Sequence, residues 1–338
     1  MSTARRSWIP LVVAALIGIG LIVGARALLG GGDSGGGSGD PTPVAQSDRS
    51  DCQSLTVVAS SEKAALLSQL AQQYNASDPR VGDQCVDVAV VSKASGGAAQ
   101  ALARGWDDQI DGPRPDVWTP ASSSWAVLVD QVAAEQDNTS PVPDDLPSLV
   151  QTPLVIAMPK PMAEALGWPD EQIGWADLAT LAKDPKGWGA VDHPEWGRFK
   201  LGKTNPNYST SGLNATIASY FAATGLSSDL TLKNVADPKT REFVKQLESS
   251  VVHYGDTTLT FLENMANEAA AGKGLTYVSA VTVEEKSVLD YNQGNPTGDP
   301  AKAGQSAPPQ VPLVAFFPDD GTLVSDTPWM TLDAPWVD

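Results

Sequence analysis

The sequence is poor in two residue types that often carry chemistry: only two histidines and two cysteines occur among its 338 residues. A serine–histidine triad or a histidine-rich metal centre therefore has little to draw on, and only His193 and His253 could supply ring nitrogens. The H-E-x-x-H pattern of zinc proteases is absent. We therefore expect no catalytic residues, no metal site and no cofactor.

Basic residues are also in the minority, since Lys and Arg number 22 against 40 Asp and Glu, for a formal net charge of −18. Three of the arginines and no acidic residue lie before residue 31, so the rest of the chain is more acidic still. Such a field repels nucleic acid and anionic lipid, so no nucleic-acid partner is expected. The hydrophobic content of 42% is ordinary for a globular protein with a core.

An apolar run occupies residues 8–25, behind Arg5 and Arg6. The run is nearly long enough to span a membrane, and the arginines favour a cytoplasmic N-terminus. Residues 1–29 are therefore predicted to be a cytoplasmic stub and transmembrane anchor, and residues 30–50, rich in Gly, Ser and Pro, a flexible linker. The protein should lie in the cell membrane as a single-pass protein with its folded domain on the extracytoplasmic side. A cleavable signal peptide, of the general or the twin-arginine type, is the alternative.

The two cysteines, Cys52 and Cys85, both lie in the part predicted to be exported. Each precedes a strand-like run, LTVVAS in one case and VDVAVVS in the other. Neighbouring strands would bring the cysteines to the same edge of a sheet, and an extracytoplasmic compartment favours oxidation. A disulfide is therefore predicted, with two buried thiols as the alternative.

From residue 55 onward, short apolar runs alternate with helical stretches, which predicts an α/β fold of right-handed βαβ units with parallel strands. Three of the predicted strands are followed by serine-bearing turns. Ligands of open α/β sheets bind at the carboxyl ends of the strands, so these turns could form a polar half-site, although helix capping could explain each turn singly. The candidate residues are Ser60, Ser61, Ser95, Gly96, Ser122 and Ser123.

A further polar cluster lies in GKTNPNYSTSGLNATIASYFAATG, just ahead of a predicted helix. It holds more hydroxyls and amides than a helix cap requires, and it resembles a helix N-terminus prepared for a ligand such as an anion. Tyr277, in the run GLTYVSA that we predict to be a strand, could line the site or donate a hydrogen bond, or else be a core aromatic. The candidate residues of the cluster are Asn205, Ser209, Thr210, Ser211 and Gly212.

Several segments, in their order along the chain, resemble the extracellular solute-binding proteins of the type II periplasmic-binding class. The closest likeness is to actinobacterial membrane-anchored members that carry a von Willebrand A domain after the binding domain. The resemblance covers residues 55–338. The segments are LTVVASSEKAALLSQLAQQYN, DVWTPASSSW, TPLVIAMPK, GKTNPNYSTSGL and LVAFFPDDGTLVSDTPWMTLDAPW.

The resemblance implies two α/β lobes joined by a hinge of crossing strands, with the solute held in the cleft between them. Lobe one would comprise residues 51–152 plus 318–338, and lobe two residues 153–317. The candidate residues of the two lobes would then face each other across the cleft. The expected partners are a small polar solute, for which an oxyanion, a sugar or a peptide is equally suitable, and a transporter permease or another envelope protein. The sequence ends where the class continues with a further helix, so we expect a fragment of a longer protein.

Two other function classes are left open by the residues. SSEK, from Ser60 to Lys63, fits the S-x-x-K pattern of penicillin-binding serine enzymes, and KTN at Lys203 is one residue away from their K-T-G, but the S-D-N element is missing. An adhesion or scaffold module of the cell envelope is the other alternative, in which the serine turns are only caps and nothing small is bound.

Overall fold

The computed structural model describes residues 42–43, 49 and 51–337. The predicted anchor and most of the predicted linker lie outside the described residues. None of the helices in the described ranges is both long enough and apolar enough to cross a membrane.

The described part of the chain alternates strands with helices through most of its length. The strands are β1 (Thr42–Pro43), β2 (Gln53–Ala59), β3 (Arg80–Val81), β4 (Gln84–Ser92), β5 (Val117–Thr119), β6 (Thr152–Pro159), β7 (Leu201–Thr204), β8 (Val251–Gly255), β9 (Ala280–Glu284), β10 (Leu313–Phe316), β11 (Val324–Ser325) and β12 (Met330–Thr331). The α-helices are α1 (Ser61–Ala76), α2 (Ser95–Arg104), α3 (Asp108–Asp111), α4 (Ser124–Glu135), α5 (Lys160–Ala165), α6 (Trp175–Lys183), α7 (Thr210–Thr224), α8 (Leu232–Ala236), α9 (Pro238–Ser249), α10 (Thr258–Glu268) and α11 (Glu285–Asn292). Short 3₁₀ or π segments cover Gly187–Val191, Pro194–Trp196, Ala269–Lys273 and Pro300–Lys302.

The strands form two separate sheets, each the centre of one lobe. In lobe one the order is β1-β4-β2-β5-β12, with β3 on β4, and β2 runs parallel to both of its neighbours. In lobe two the order is β10-β6-β9-β7-β8, with β11 on β6, and β7 runs parallel to both of its neighbours. The central parallel strands of each lobe therefore end at one common edge, which is where α/β proteins bind ligands.

The lobes are joined where β6 and β11 pair in antiparallel fashion. The chain enters lobe two through β6 and returns to lobe one through β11, with Val324 opposite Pro153 and Ser325 opposite Thr152. An isolated bridge between Ser148 and Pro328 continues this pairing into lobe one. The two crossing strands form a short two-stranded hinge beside the common edge of each sheet.

Aromatic side chains fill much of both cores. Trp118 and Trp125 are buried among small and aliphatic residues under helices α2 and α4 of lobe one. Trp175 and Trp188 are likewise buried in lobe two, in a core cluster that also holds residues of α7 and β7. The packed cores give each lobe a rigid support for the polar residues at its sheet edge.

The predicted disulfide is confirmed, because Cys52 and Cys85 are bonded, with their Cα atoms 4.8 Å apart. The parallel pairing of β2 with β4 explains the contact. Gln53 lies opposite Val86, so the cysteine that precedes each residue is brought to the same end of the two strands.

The strand predicted at GLTYVSA is wrong. The chain forms a turn there, in which the amide nitrogens of Thr276 and Tyr277 donate to the carbonyl of Lys273, and the left-handed Gly272 (φ 80°) precedes it. The strand is β9, Ala280–Glu284, and all five of its residues are buried. Tyr277 therefore precedes the strand instead of ending it.

Candidate functional site

The three serine-bearing turns of lobe one meet at one edge of its sheet. The Ser60 amide donates to the Thr119 carbonyl at 3.1 Å, which ties the end of β2 to the end of β5. The Lys93 amide donates to the Ala59 carbonyl at 3.0 Å, which ties the end of β4 to the end of β2. Parallel pairing thus brings together turns that lie far apart in the sequence.

The serine side chains at these turns divide into two groups. The Ser95 Oγ accepts from the Ala121 amide at 3.1 Å, the Ser122 Oγ bonds to Ser124, and the Ser123 amide donates to Asp326 at 2.8 Å. Ser60 and Ser61 differ, since their Oγ atoms are buried without a hydrogen-bond partner in the described protein. Ser60 occupies the N-cap position of α1, yet its side chain makes no cap hydrogen bond. Capping therefore does not account for these two hydroxyls.

The polar cluster of lobe two follows β7 and begins helix α7. The Asn205 Oδ1 accepts from the Asn207 amide at 3.0 Å, which closes the turn. The Ser209 Oγ accepts from the Thr204 hydroxyl at 2.8 Å, although Ser209 stands at the N-cap position of α7. Ser211, which is fully buried, bonds to the hydroxyl of Thr258. This cluster is an interlocked set of hydroxyls rather than a simple cap.

Close packing fixes the start of α7 against β7. A Cβ atom added to Gly212 would lie 2.3 Å from the Thr204 carbonyl oxygen, so only glycine fits there. At its other end the helix stops at Gly225, whose φ of 65° is the left-handed conformation that glycine adopts readily.

Two of the predicted residues join the lobes directly. The Thr210 Oγ1 accepts from the indole nitrogen of Trp125 at 2.8 Å. The Gly96 amide donates to the Tyr208 carbonyl at 3.0 Å, and the Gln100 side chain donates to the Asn207 carbonyl at 3.1 Å. The start of helix α2 in lobe one therefore sits against the turn before α7 in lobe two, and the lobes are closed at this point.

A buried carboxylate that the sequence analysis did not single out lies beside the hinge. Glu284, the last residue of β9, is only 5% exposed. Its Oε1 accepts from the Ser325 hydroxyl at 3.3 Å, and the Ser325 Oγ in turn accepts from the Asn214 side-chain nitrogen at 3.2 Å. The network links helix α7, strand β9 and the crossing strand β11.

The electrostatic surroundings of Glu284 include a second carboxylate, from the other lobe. Burial, and after it the negative charge of Glu62, raise the pKa of Glu284 to about 7, against the opposing effect of its backbone amide and the hydroxyls of Ser325 and Ser211. Glu62 lies in the first turn of α1, directly after Ser61. The charge of a carboxylate in lobe one therefore reaches Glu284 in lobe two.

Unpartnered oxygen atoms mark the space between the lobes. Thr282 lies two residues before Glu284 and so on the same face of β9, and Asn214 connects to Glu284 through Ser325. Buried polar atoms without partners are uncommon and cost about 1–3 kcal/mol each. Within the described protein, six of the atoms without a hydrogen-bond partner belong to the junction of β2 with α1, to α7 or to β9: the Oγ atoms of Ser60 and Ser61, Oε2 of Glu62, Oδ1 of Asn214, Oγ1 of Thr282 and Oε2 of Glu284. This arrangement can bind a small polar molecule that reaches both lobes at once.

Lys63 lies next to these groups but points elsewhere. Its Nζ donates to the Pro120 carbonyl at 2.8 Å, within lobe one. Burial lowers the pKa of Lys63 to about 7, and the charges of Glu62 and Asp326 oppose this. Ser60, the serine of the S-x-x-K pattern, has a hydroxyl without a hydrogen-bond partner in the described protein, so it is not bonded to Lys63. A serine nucleophile would need such a bond to its base.

Tyr277 lies outside the candidate site. Its ring stacks on His253 with centroids 4.3 Å apart and contacts the core residue Phe261. It precedes the amino end of β9, whereas the cluster gathers around Glu284 at the carboxyl end. The core-aromatic alternative therefore fits its position better than a place in the cleft wall.

One pattern that sequence reasoning passed over is GRFKLGKT, residues 197–204, which fits the phosphate-loop pattern G-x-x-x-x-G-K-[ST]. In that motif a loop cradles phosphate and the lysine reaches it. Here Leu201–Thr204 is the buried strand β7, and Lys203, which is 3% exposed, forms an ion pair with Glu248. The segment is therefore a structural strand.

Of the described residues, no group of three or more histidine, cysteine, aspartate or glutamate side chains is placed to hold a metal ion. The two carboxylates of the cleft, Glu62 and Glu284, are accompanied by hydroxyl and amide groups. These side chains can form hydrogen bonds and charge interactions with a ligand.

Comparison with known proteins gives a family for most of this chain. The sequence model of the family described as "Bacterial extracellular solute-binding protein" matches residues 55–298. Uncharacterized proteins of two Mycobacterium tuberculosis strains, CDC 1551 and H37Rv, are 31% identical over 147 residues, which is 44% of this chain. That alignment spans only 20% of the length of these relatives.

Solved structures show the same two-lobed architecture. The sulfate-binding protein SubI from Mycobacterium tuberculosis H37Rv aligns with a TM-score of 0.50 and 14% identity, covering 84% of this chain and 77% of that one. A periplasmic thiamin-binding protein aligns with a TM-score of 0.50 and 10% identity, covering 86% and 76%. At such identities the likeness shows the fold, a two-lobed α/β periplasmic-binding-protein fold, and does not carry over the ligand.

Proposed function

This chain belongs to the family of bacterial extracellular solute-binding proteins, and we propose that it binds one small polar solute in the cleft between its two lobes. The observation that carries the proposal is the set of unpartnered buried oxygen atoms that both lobes contribute, which includes carboxylate oxygens of Glu62 and Glu284. A solute that bonds to the oxygen atoms of both lobes would supply their missing hydrogen-bond partners and would stabilise the closed arrangement.

The family consists of binding proteins of transport systems, so this chain is not an enzyme. An adhesion or scaffold module without a small ligand would bury these oxygen atoms at a cost and gain nothing from it. A bound solute would supply the missing hydrogen-bond partners, which is why we favour solute binding.

The proposal extends to the location and partners of the protein. The apolar run at residues 8–25, which lies outside the described residues, would anchor the chain in the cell membrane with the lobes on the extracytoplasmic side. A membrane permease would receive the solute, or an envelope partner would read the closed state in sensing.

A solute screen tests the proposed function. The full-length chain is heated with millimolar amino acids, amines, sugars or oxyanions, and a solute that binds the folded state raises the melting temperature. The affinity of a solute found in this way is then measured by calorimetric titration for the wild type and for cleft variants. If no solute raises the melting temperature, the proposed function is wrong.

Ser61→Ala is the informative variant. The Ser61 Oγ has no partner within the described protein, so its loss should leave the solute-free melting temperature unchanged and weaken binding about fivefold, the worth of one hydrogen bond. Ser95→Ala is the matched control, because its Oγ accepts from the Ala121 amide. That variant should lose about 1 kcal/mol of stability and keep its affinity. A Ser61→Ala protein that melts lower and binds as before would identify a cap rather than a site.

A further inference from the structure

The unpartnered atoms of the cleft are hydrogen-bond acceptors or hydroxyls. Asn214 Oδ1, and the Oε2 atoms of Glu62 and Glu284 when ionised, can only accept, whereas the hydroxyls of the cluster can donate or accept. Among the described residues, the one buried side-chain nitrogen without a partner is the indole nitrogen of Trp175, which belongs to the core of lobe two. A solute that satisfies this cleft must therefore bring hydrogen-bond donors.

The charge of the cleft leads to the same conclusion. Glu62 and Glu284 come from opposite lobes, and the pKa of Glu284 is raised by its burial and by the charge of Glu62. Lys63 lies near Glu62 and Asp326, whose charges raise its pKa, but burial lowers that pKa to about 7 and its Nζ donates to the Pro120 carbonyl. Asp326 adds a further carboxylate nearby, whose Oδ1 accepts from the Ser123 amide. An anion placed here would meet carboxylates of both lobes, and the Nζ of the nearby Lys63 is held on a backbone carbonyl.

Several of the donors that made an oxyanion attractive from the sequence are already used. The Gly96 amide, at the start of α2, donates to the Tyr208 carbonyl of the other lobe. The hydroxyls of Ser209 and Ser211, at the start of α7, bond to one another and to Thr258. These three groups thus hold the lobes together or hold their own turn.

We propose that the solute is a small organic cation whose protonated amino group lies between Glu62 and Glu284 and donates hydrogen bonds to both. This inference rests on the proposed function and names the solute class for the same cleft. The amino group would bridge the lobes, because one carboxylate belongs to helix α1 and the other to strand β9. The hydroxyls of Ser60, Ser61 and Thr282 remain available for polar groups elsewhere on the solute.

The test uses defined probes and the full-length chain. Methylammonium, ethanolamine and putrescine represent the proposed class, sulfate and molybdate represent oxyanions, and glucose represents neutral polyols. Calorimetric titration at pH 7.5 should show saturable binding of at least one amine and no binding of either oxyanion. Glu284→Gln and Glu62→Gln should each weaken amine binding about tenfold or more, since hydrogen bonds between charged groups are stronger than neutral ones.

Glu242→Gln, which removes an exposed carboxylate on α9, is the control and should bind amines as the wild type does. Neutralising Glu284 removes a buried charge, so that variant should fold. Binding of sulfate, molybdate or glucose without any amine would overturn the solute class and leave the cleft as a binding site. If no probe binds and the broader screen also finds no solute, both the class and the proposed function are wrong.

Discussion

The indole nitrogen of Trp125 in lobe one donates a 2.8 Å hydrogen bond to the hydroxyl of Thr210 in lobe two, and both residues are buried. This bond joins the lobes directly, and no solute takes part in it. Two-lobed proteins of this fold open and close about their hinge. A buried hydrogen bond of this kind is worth about 1 kcal/mol, so it should raise the closed population about fivefold.

Thr210→Val should favour the open arrangement, because it keeps the shape of the side chain and removes the acceptor of Trp125. Ser279→Ala is the matched control, since the Ser279 Oγ accepts from the indole nitrogen of Trp188 at 2.8 Å within lobe two. Both variants should lose about 1–3 kcal/mol of stability by leaving a buried indole nitrogen unpaired. Only Thr210→Val should increase the radius of gyration measured by small-angle X-ray scattering. An equal radius for both variants would show that the bond does not influence closure.

Gly96 and Gly97 offer a second test of closure, because they are neighbours in the first turn of α2 with different surroundings. A Cβ atom at Gly96 would lie 2.1 Å from the Asn207 carbonyl oxygen of the other lobe and 2.8 Å from the Trp125 ring of its own lobe, whereas at Gly97 the nearest atom, in the Tyr208 ring, would be 4.0 Å away. Gly96→Ala should therefore shift the Trp125 ring and prevent the closed arrangement, which scattering would detect as a larger radius of gyration. Gly97→Ala should close normally and gain slightly in stability, since alanine favours a helix. Normal closure of Gly96→Ala would contradict the interlobe contact.

The shared sheet edge of the serine turns in lobe one could be predicted from the alternation of strands and helices along the chain. A parallel strand that ends in serine places that serine at the shared edge, and Ser60 and Ser61 lie there with unpaired hydroxyls. The disulfide followed from the same reasoning, since each cysteine precedes one of two neighbouring strands. Periodicity also placed α7 correctly, from the polar turn to Gly225.

The rest of the site depends on contacts between distant parts of the chain. Glu284 ends a short apolar run, and only the pairing of β9 and the approach of Ser325 on the crossing strand reveal that its carboxylate is buried beside the hinge. Thr210 and Gly96 were expected to face a solute, but in the closed arrangement each of them is hydrogen-bonded to a residue of the opposite lobe. A charged residue directly after a buried β-branched run, as in AVTVE, is the signal that could have pointed to Glu284.

The disulfide should contribute substantially to stability. It closes a loop of sequence separation 33, for which loop entropy predicts about 3 kcal/mol. The double variant Cys52→Ala/Cys85→Ala should lose about that amount in denaturant unfolding. Thiol labelling of the oxidised, unfolded wild type should give no signal, and labelling after reduction serves as the positive control. Two reactive thiols before reduction would contradict the bond.

The stability of the solute-free protein should depend on pH through Glu284. Its pKa is raised from 4.5 to about 7 by burial and by Glu62, so the folded state holds a proton that the unfolded state releases between these values. The contribution of Glu284 to the free energy of unfolding is therefore fully present below about pH 4.5. It is lost as the pH rises to about 7, a change of about 3 kcal/mol. Lys63, whose pKa is lowered from 10.5 to about 7, acts above that range, where it makes stability rise with pH.

Comparing variants isolates the contribution of Glu284 from those of other carboxylates. The free energy of unfolding is measured with denaturant at pH 5 and pH 7.5 for the wild type, Glu284→Gln and the exposed control Glu242→Gln. From pH 5 to pH 7.5, the free energy of unfolding of Glu284→Gln should rise relative to that of the wild type by up to about 3 kcal/mol, because the amide never has to ionise in the buried site. Glu242→Gln should follow the wild type at both values. If Glu284→Gln also runs parallel to the wild type, the carboxylate of Glu284 is ionised at no cost, and its environment is less apolar than its burial indicates.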